Sequence, residues 1–157
     1  MPGYYLSFDG LDDKVVIPHS PTLEPVNKLV VEYFAFIDNL GNPGAFVVKY
    51  DNAINAGYAL FLWGGVIYFQ AGNGSSWAYY NATKVLSSLG WHHICGEHTP
   101  TKHTVYIDGV EGTPSANNGA IVYSGTDLWI GGNAPAGTFY SGYFDELRIY
   151  NGDLIDL

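Results

Sequence analysis

The sequence predicts an all-β protein, a two-sheet antiparallel β-sandwich. Short runs rich in Tyr, Val, Ile, Phe and Trp succeed one another along 157 residues, with turn signals roughly every eight to twelve positions. Many of the 20 glycines, together with Asn and Asp, fall between those runs. No segment sustains a helical period, and Ser87–Leu89 is expected to form one short turn at most.

Tyr4–Phe8 opens the series and stops at Asp9-Gly10, and Lys14–Ile17 follows. Lys28–Ile37 carries Leu29, Val31, Tyr33, Ala35 and Ile37 on one face and Val30, Glu32, Phe34 and Phe36 on the other. Glu32 alone breaks the apolar pattern, which predicts a strand covered on both sides. After the Asn39–Gly44 loop comes Ala45–Tyr50. Tyr58–Trp63 and Val66–Ala71 are joined by Gly64-Gly65, which reads as a tight hairpin because a primed turn needs positive φ at its centre. Ser76–Ala82 lies beyond Gly72-Asn73-Gly74. Trp91–Glu97 alternates His92, Ile94 and Gly96 against Trp91, His93 and Cys95, with Cys95 expected inside. His103–Ile107 turns at Asp108-Gly109, and Asp127–Ile130 precedes Gly131-Gly132-Asn133. In the closing run, Gly142–Tyr150, strict alternation groups Phe144, Glu146, Arg148 and Tyr150 against Asp145, Leu147 and Ile149. Glu32 and Arg148, lone charges on apolar rows, are expected to pair, since burying either alone is costly.

Trp91-His92-His93-Ile94, Val105-Tyr106-Ile107-Asp108-Gly109 and Leu128-Trp129-Ile130-Gly131-Gly132 form a framework with Tyr5–Gly10 and Gly142–Tyr150. In order and spacing it resembles the LamG-like jelly rolls, relatives of the legume lectins with a concanavalin A-like sandwich. The resemblance implies a jelly-roll fold across nearly the whole chain, while leaving the ligand open. It also implies a structural Ca²⁺ where the first and last strands meet. Asp9 and Asp145 match the positions that supply ligands in the family, and carbonyls of the Asn39–Gly44 loop would complete a shell of hard oxygens. Asp12-Asp13 is a weaker candidate for the ion and reads first as a solvated turn.

Residues 1–157 read as one domain, long enough to bury about 70% of the unfolded surface. Charged residues make up 13% and aromatics 16%, so the chain is too apolar for disorder. The net charge of −9, with six Lys and Arg, excludes a nucleic-acid binder and disfavours an anionic membrane surface. Met1-Pro2-Gly3-Tyr4 shows neither basic nor apolar leader, and no apolar run approaches the length of a membrane span. Cys95 stands alone, so an internal disulfide is impossible.

Sugars present flat C–H faces and hydroxyl rims, so their sites combine aromatic platforms with amide or carboxylate groups. The stretch from Tyr58 to Tyr80 is dense in both. Trp63, Tyr68 and Gln70, and beyond the loop Trp77 and Tyr79, are the expected carbohydrate contacts, whereas Phe61 and Phe69 are expected to be core. His92 and His93 point to opposite faces; His98 and His103 meet across a turn without the partners of a closed zinc site. A glucanase needs two carboxylates along one strand face, and no such row exists. The expected function is therefore a non-catalytic, lectin-like module for a surface or polymeric glycan, extracellular or displayed on a surface, with one possible Ca²⁺. The alternative is a structural or adhesive domain of a virion, fibre or cell envelope, acting through protein partners.

Overall fold

The structure, a computed structural model, describes residues 4–41, 44–75, 82–116, 119–133 and 137–152. In chain order the strands are β1 (Leu6–Asp9), β2 (Val15–Ile17), β3 (Leu29–Ile37), β4 (Gly44–Asp51), β5 (Ala56–Trp63), β6 (Val66–Asn73), β7 (Ala82–Val85) and β8 (Gly90–His98). They continue as β9 (Lys102–Ile107), β10 (Val110–Glu111), β11 (Ser115–Ala116), β12 (Leu128–Ile130), β13 (Gly132–Asn133), β14 (Thr138–Phe139) and β15 (Ser141–Tyr150). The front sheet has seven strands in the order β1-β15-β3-β8-β9-β10, with β11 also on β9. The back sheet has six, β2-β12-β4-β5-β6-β7, and β13-β14 form a separate ribbon. Neighbours pair antiparallel throughout both sheets. The predicted sandwich is thus present, and the expected runs coincide with its long strands, except that the Ser76–Ala82 run lies, but for Ala82, outside the described residues, and β7 at Ala82–Val85 was not expected. The shortest strands, β10, β11, β13 and β14, escaped the sequence because two residues carry no alternation.

A single helical turn was not expected: Pro21–Leu23 is 3-10, capped by Ser20, whose side chain accepts from the Thr22 amide. Ser88 and Leu89, by contrast, make only a bend. Both hairpins follow their turn chemistry. Gly64 and Gly65 have φ of +57° and +76°, and Trp63 pairs with Val66; Asp108 and Gly109 have φ of +53° and +75°, and Ile107 pairs with Val110.

The core lies between the sheets. Leu29, Val31, Tyr33, Ala35 and Ile37 of β3 join Phe46, Leu60 and Phe69 of the back sheet in one buried cluster. Gly96 marks a close approach of the layers, because a Cβ there would sit 2.7 Å from the Phe69 ring. No side chain fits at that point.

Three details depart from strict alternation. The outer row of β3 is not covered along its length: Val30 is buried, but Glu32, Phe34 and Phe36 are half-buried. In β15 the register slips between Asp145 and Arg148, where Glu146 adopts φ of +52°. This bulge places two residues opposite one. It returns Leu147 and Ile149 to the core side with Phe144, and leaves Glu146 and Arg148 exposed. The grouping of Phe144 with Glu146 and Arg148 is therefore corrected. Cys95 is buried as expected, but on the outer row, opposite Glu32 and Tyr106 rather than in the main cluster. Burial, with Glu32 and Glu97 nearby, pushes its thiol up to about 12, which leaves it unreactive at neutral pH.

Candidate functional site

On the outer face of the back sheet, β5 and β6 pair Trp63 with Val66, Phe61 with Tyr68 and Ala59 with Gln70. Trp63, Tyr68 and Gln70 consequently lie on one face, with Trp63 at the hairpin tip and 58% exposed. Phe61 stacks on Tyr68 with centroids 5.1 Å apart and planes within 7°. It belongs to this face rather than to the main core; Phe69, on the opposite face, is fully buried. The stack fixes the Tyr68 ring before any ligand arrives, which lowers the entropic cost of binding. Trp77 and Tyr79 lie outside the described residues.

A second aromatic group, which the sequence reading missed, occupies the outer face of the front sheet. Phe36 of β3 pairs with Trp91 of β8 and Tyr143 of β15, so three strands present rings side by side. Tyr5 closes over them, 4.6 Å from Tyr143 and 6.1 Å from Trp91. Tyr5 and Tyr143 are 51% and 37% exposed, so the group faces solvent. Below it, the Tyr140 hydroxyl lies 2.6 Å from the Phe36 carbonyl and 3.0 Å from that of Tyr143, tying both strands together. The alternation of Phe34 and Phe36 away from the core was a usable signal. What hid the group was that its rings come from positions as distant as Tyr5 and Tyr143.

The expected metal pair does not converge. Asp9 sits opposite Ser141 on β15, whereas Asp145 lies four positions further along, about 14 Å away at strand rise. One ion cannot bind both. Asp145 Oδ1 instead accepts from the Glu146 amide at 2.8 Å inside the bulge. Asp9 meets Asp12 and Asp13, with one side-chain oxygen from each within 4.8 Å of the others and all three residues exposed. Within that turn Asp9 Oδ1 accepts from the Leu11 amide at 2.8 Å, and Asp13 Oδ2 accepts from the Asp9 amide at 3.0 Å. Each of these carboxylates keeps a second oxygen, and three hard-oxygen donors suit Ca²⁺. The Asn39–Gly44 loop is only partly within the described residues.

The remaining polar constellations are held by the sheet itself. Glu32 accepts from His93 Nε2 at 2.9 Å and from the Tyr150 hydroxyl at 3.1 Å. Arg148 is 3.6 Å from Glu32, as expected, but binds Glu146 more closely at 2.8 Å. Ser88, His92 and Asp108 line up like a hydrolytic triad: Nε2 is 3.4 Å from Ser88 Oγ, and Nδ1 is 2.7 Å from Asp108. However, Nε2 is nearer the Ser88 carbonyl, at 3.1 Å, an acceptor that requires an N–H there. A nitrogen so occupied cannot serve as the base. Asp108 also accepts from the His93 amide, and these contacts together hold its carboxyl below the usual range despite the opposing effect of burial. The motif fastens the β9–β10 turn to β8. His98 and His103 do meet, Nδ1 to Nδ1 at 3.3 Å, but both are buried without a third ligand among the described residues.

The family model of the concanavalin A-like lectin/glucanases superfamily matches residues 9–156. No curated protein matches the chain in sequence. Among solved structures, the mouse laminin alpha1 chain, domains LG4-5, is similar with a TM-score of 0.76 and 13% identity, covering 96% of this chain and 43% of that one. Domain 4 of AbnA, an extracellular arabinanase from Geobacillus stearothermophilus in complex with arabinotriose, gives 0.71 and 20%, covering 98% and 73%. The binding domain of botulinum neurotoxin DC in complex with SialylT gives 0.71 and 10%, covering 97% and 42%. The chain thus spans less than half of the laminin and neurotoxin chains. At such identities the likeness is one of fold.

Proposed function

We propose a non-catalytic, glycan-binding role for this chain, which belongs to the concanavalin A-like lectin/glucanases superfamily. The observation that carries the reading is the back-sheet face on which exposed Trp63, Tyr68 pinned by Phe61, and the Gln70 amide stand together. A flat apolar ring beside a hydroxyl and an amide matches the C–H face and hydroxyl rim of a sugar. Net charge of −9 favours an uncharged glycan over an acidic one. Structural neighbours determined with arabinotriose and with SialylT add support by analogy of fold. The engagement of Glu32 by His93 and Tyr150, and of His92 by the Ser88 carbonyl, supports the absence of catalysis. An extracellular or surface-displayed location is part of the same proposal.

On a glycan array, the protein is expected to bind one class of neutral glycan. Trp63→Ala should weaken that binding at least tenfold while leaving the melting temperature nearly unchanged. Loss of folding instead would show Trp63 to be structural, and full retention of binding would remove the back-sheet site.

The calcium expectation we assign to Asp9, Asp12 and Asp13 rather than to Asp145. Calcium bound there would offset two of the three clustered negative charges and brace the turn after β1. Melting should then rise with added calcium and fall with EDTA. Asp9→Ala should abolish the response, whereas Asp145→Ala should preserve it; the reverse pattern would refute the assignment.

A second reading, a structural or adhesive domain, is favoured by one feature. On the edge strand β7, where Thr83 already bridges to Thr113, Val85 is 70% exposed and is separated by Val66 from Trp63, which is 58% exposed. An apolar edge of this kind invites pairing with another chain. Concentration-dependent association that Val85→Lys reverses would support it.

A further inference from the structure

We propose that the outer face of the front sheet is a second sugar-contacting surface, for an uncharged sugar ring, so that one domain holds two glycan segments on opposite sides. It extends the glycan reading, on which it rests only for the class of ligand. The two sheets turn their inner faces to one shared core, so their outer faces look in opposite directions. Trp63 and Tyr68 occupy one; Tyr5, Phe36, Trp91 and Tyr143 occupy the other.

The chemistry beside the second ring group selects its occupant. An open depression of ≈ 220 Å³ adjoins it, lined by Ser7, Phe36, Asp38, Ser141 and Tyr143 among others. That is below the roughly 300–1,000 Å³ of a pocket for a drug-sized molecule and suits one small ring. Its floor and rim pair an aromatic wall with hydroxyl and carboxylate groups; Asp38 Oδ2 accepts from Ser141 Oγ at 3.2 Å and keeps further lone pairs for a ligand hydroxyl. Both walls are prearranged, since Tyr140 ties the Phe36 and Tyr143 carbonyls beneath them. The carboxylates of Asp38, Asp145 and Glu146 on this side repel an anionic sugar, and a second copy carrying net charge −9 would meet the same repulsion. A neutral hydroxylated ring meets neither obstacle.

Two sites facing opposite ways make the domain a cross-linker, and cross-linking can be read separately from affinity. Native gels cast with linear arabinan, xylan or β-glucan measure retardation, and turbidity of the same polysaccharides measures bridging. Tyr5 precedes β1 and is largely exposed, so Tyr5→Ala should fold; Asp38→Asn provides a second, milder probe. The wild-type domain should be retarded by at least one polymer and should cloud it. Tyr5→Ala should weaken retardation several-fold and abolish clouding; Trp63→Ala should do the same, and the double variant should not be retarded. Unchanged retardation and clouding in both Tyr5→Ala and Asp38→Asn would overturn the second surface while leaving the back-sheet site intact. If Tyr5→Ala alone removed all binding and Trp63→Ala none, the front face would be the only site: the back-sheet assignment and the divalency would both fall. A wild-type domain retarded by none of the three polymers would overturn both surfaces for neutral polysaccharides.

Discussion

Lys49→Ala is expected to destabilise the protein by about 3–5 kcal/mol, the cost of breaking a buried ion pair by removing one partner. Lys49 is fully buried in β4. Its ammonium lies 3.2 Å from Glu24 Oε1 and 3.4 Å from His19 Nδ1, and it donates to the Thr126 carbonyl. Removing it leaves the Glu24 carboxylate, itself mostly buried, without its cation, and frees two loops from the back sheet at once. The His19 amide is held on the other side by Asp127 Oδ1 at 2.8 Å, so the segments move together. For a chain of this length the melting temperature should fall on the order of 10 °C. Replacing both charges, as Lys49→Met with Glu24→Leu, should recover much of the loss, because an apolar pair carries no desolvation cost. A single variant melting within a degree or two of wild type would show that the ion pair contributes little.

The second large effect is loss of stability in acid. His98 and His103 are buried with their Nδ1 atoms 3.3 Å apart, and the Phe69 ring lies 6.1 Å from His103. Burial lowers each to about 4, reinforced at His98 by the neighbouring His103 and offset in part by a backbone contact with Val26. Unfolded, each ring titrates near 6.5. Between about pH 6.5 and 4 the unfolded chain therefore holds more protons than the folded one. Stability is complete above that window and declines as pH falls through it, on the order of 3 kcal/mol for each ring if both behave independently. The charged neighbours Glu97 and Lys102 flank the pair along β8 and β9; Glu97 accepts from the Tyr106 hydroxyl at 3.3 Å, and Lys102 donates to Glu111 at 3.2 Å. Chemical denaturation at stepped pH should show the decline, and His103→Phe should flatten it. A wild-type profile level from pH 7 to 4.5 would mean that the folded state accepts these protons without cost.

The front aromatic group and the acidic turn show where local pattern stops being informative. Alternation puts Tyr68 and Gln70 on one face, with Trp63 or Phe61 across the hairpin, and both of the latter are found there, because a two-residue glycine hairpin sets the β5–β6 register without help from the rest of the molecule. The same alternation erred in β15, where Glu146 takes a left-handed conformation that an ordinary glutamate does not advertise. Asp9 and Asp145 seemed a plausible pair only while the length of ladder between them was unknown.

By itself, then, the order of residues determined the sandwich, its long strands, its two tight turns and the inner row of β3. Each of these follows from steric preferences and side-chain periodicity acting over fewer than about ten residues. Tertiary structure alone decided which distant residues became neighbours. It seated Lys49 against Glu24, and Tyr5 against Trp91 and Tyr143. Those contacts depend on sheet order and on one bulge, and strand pairing between segments remote in sequence leaves no period for a local reading to detect.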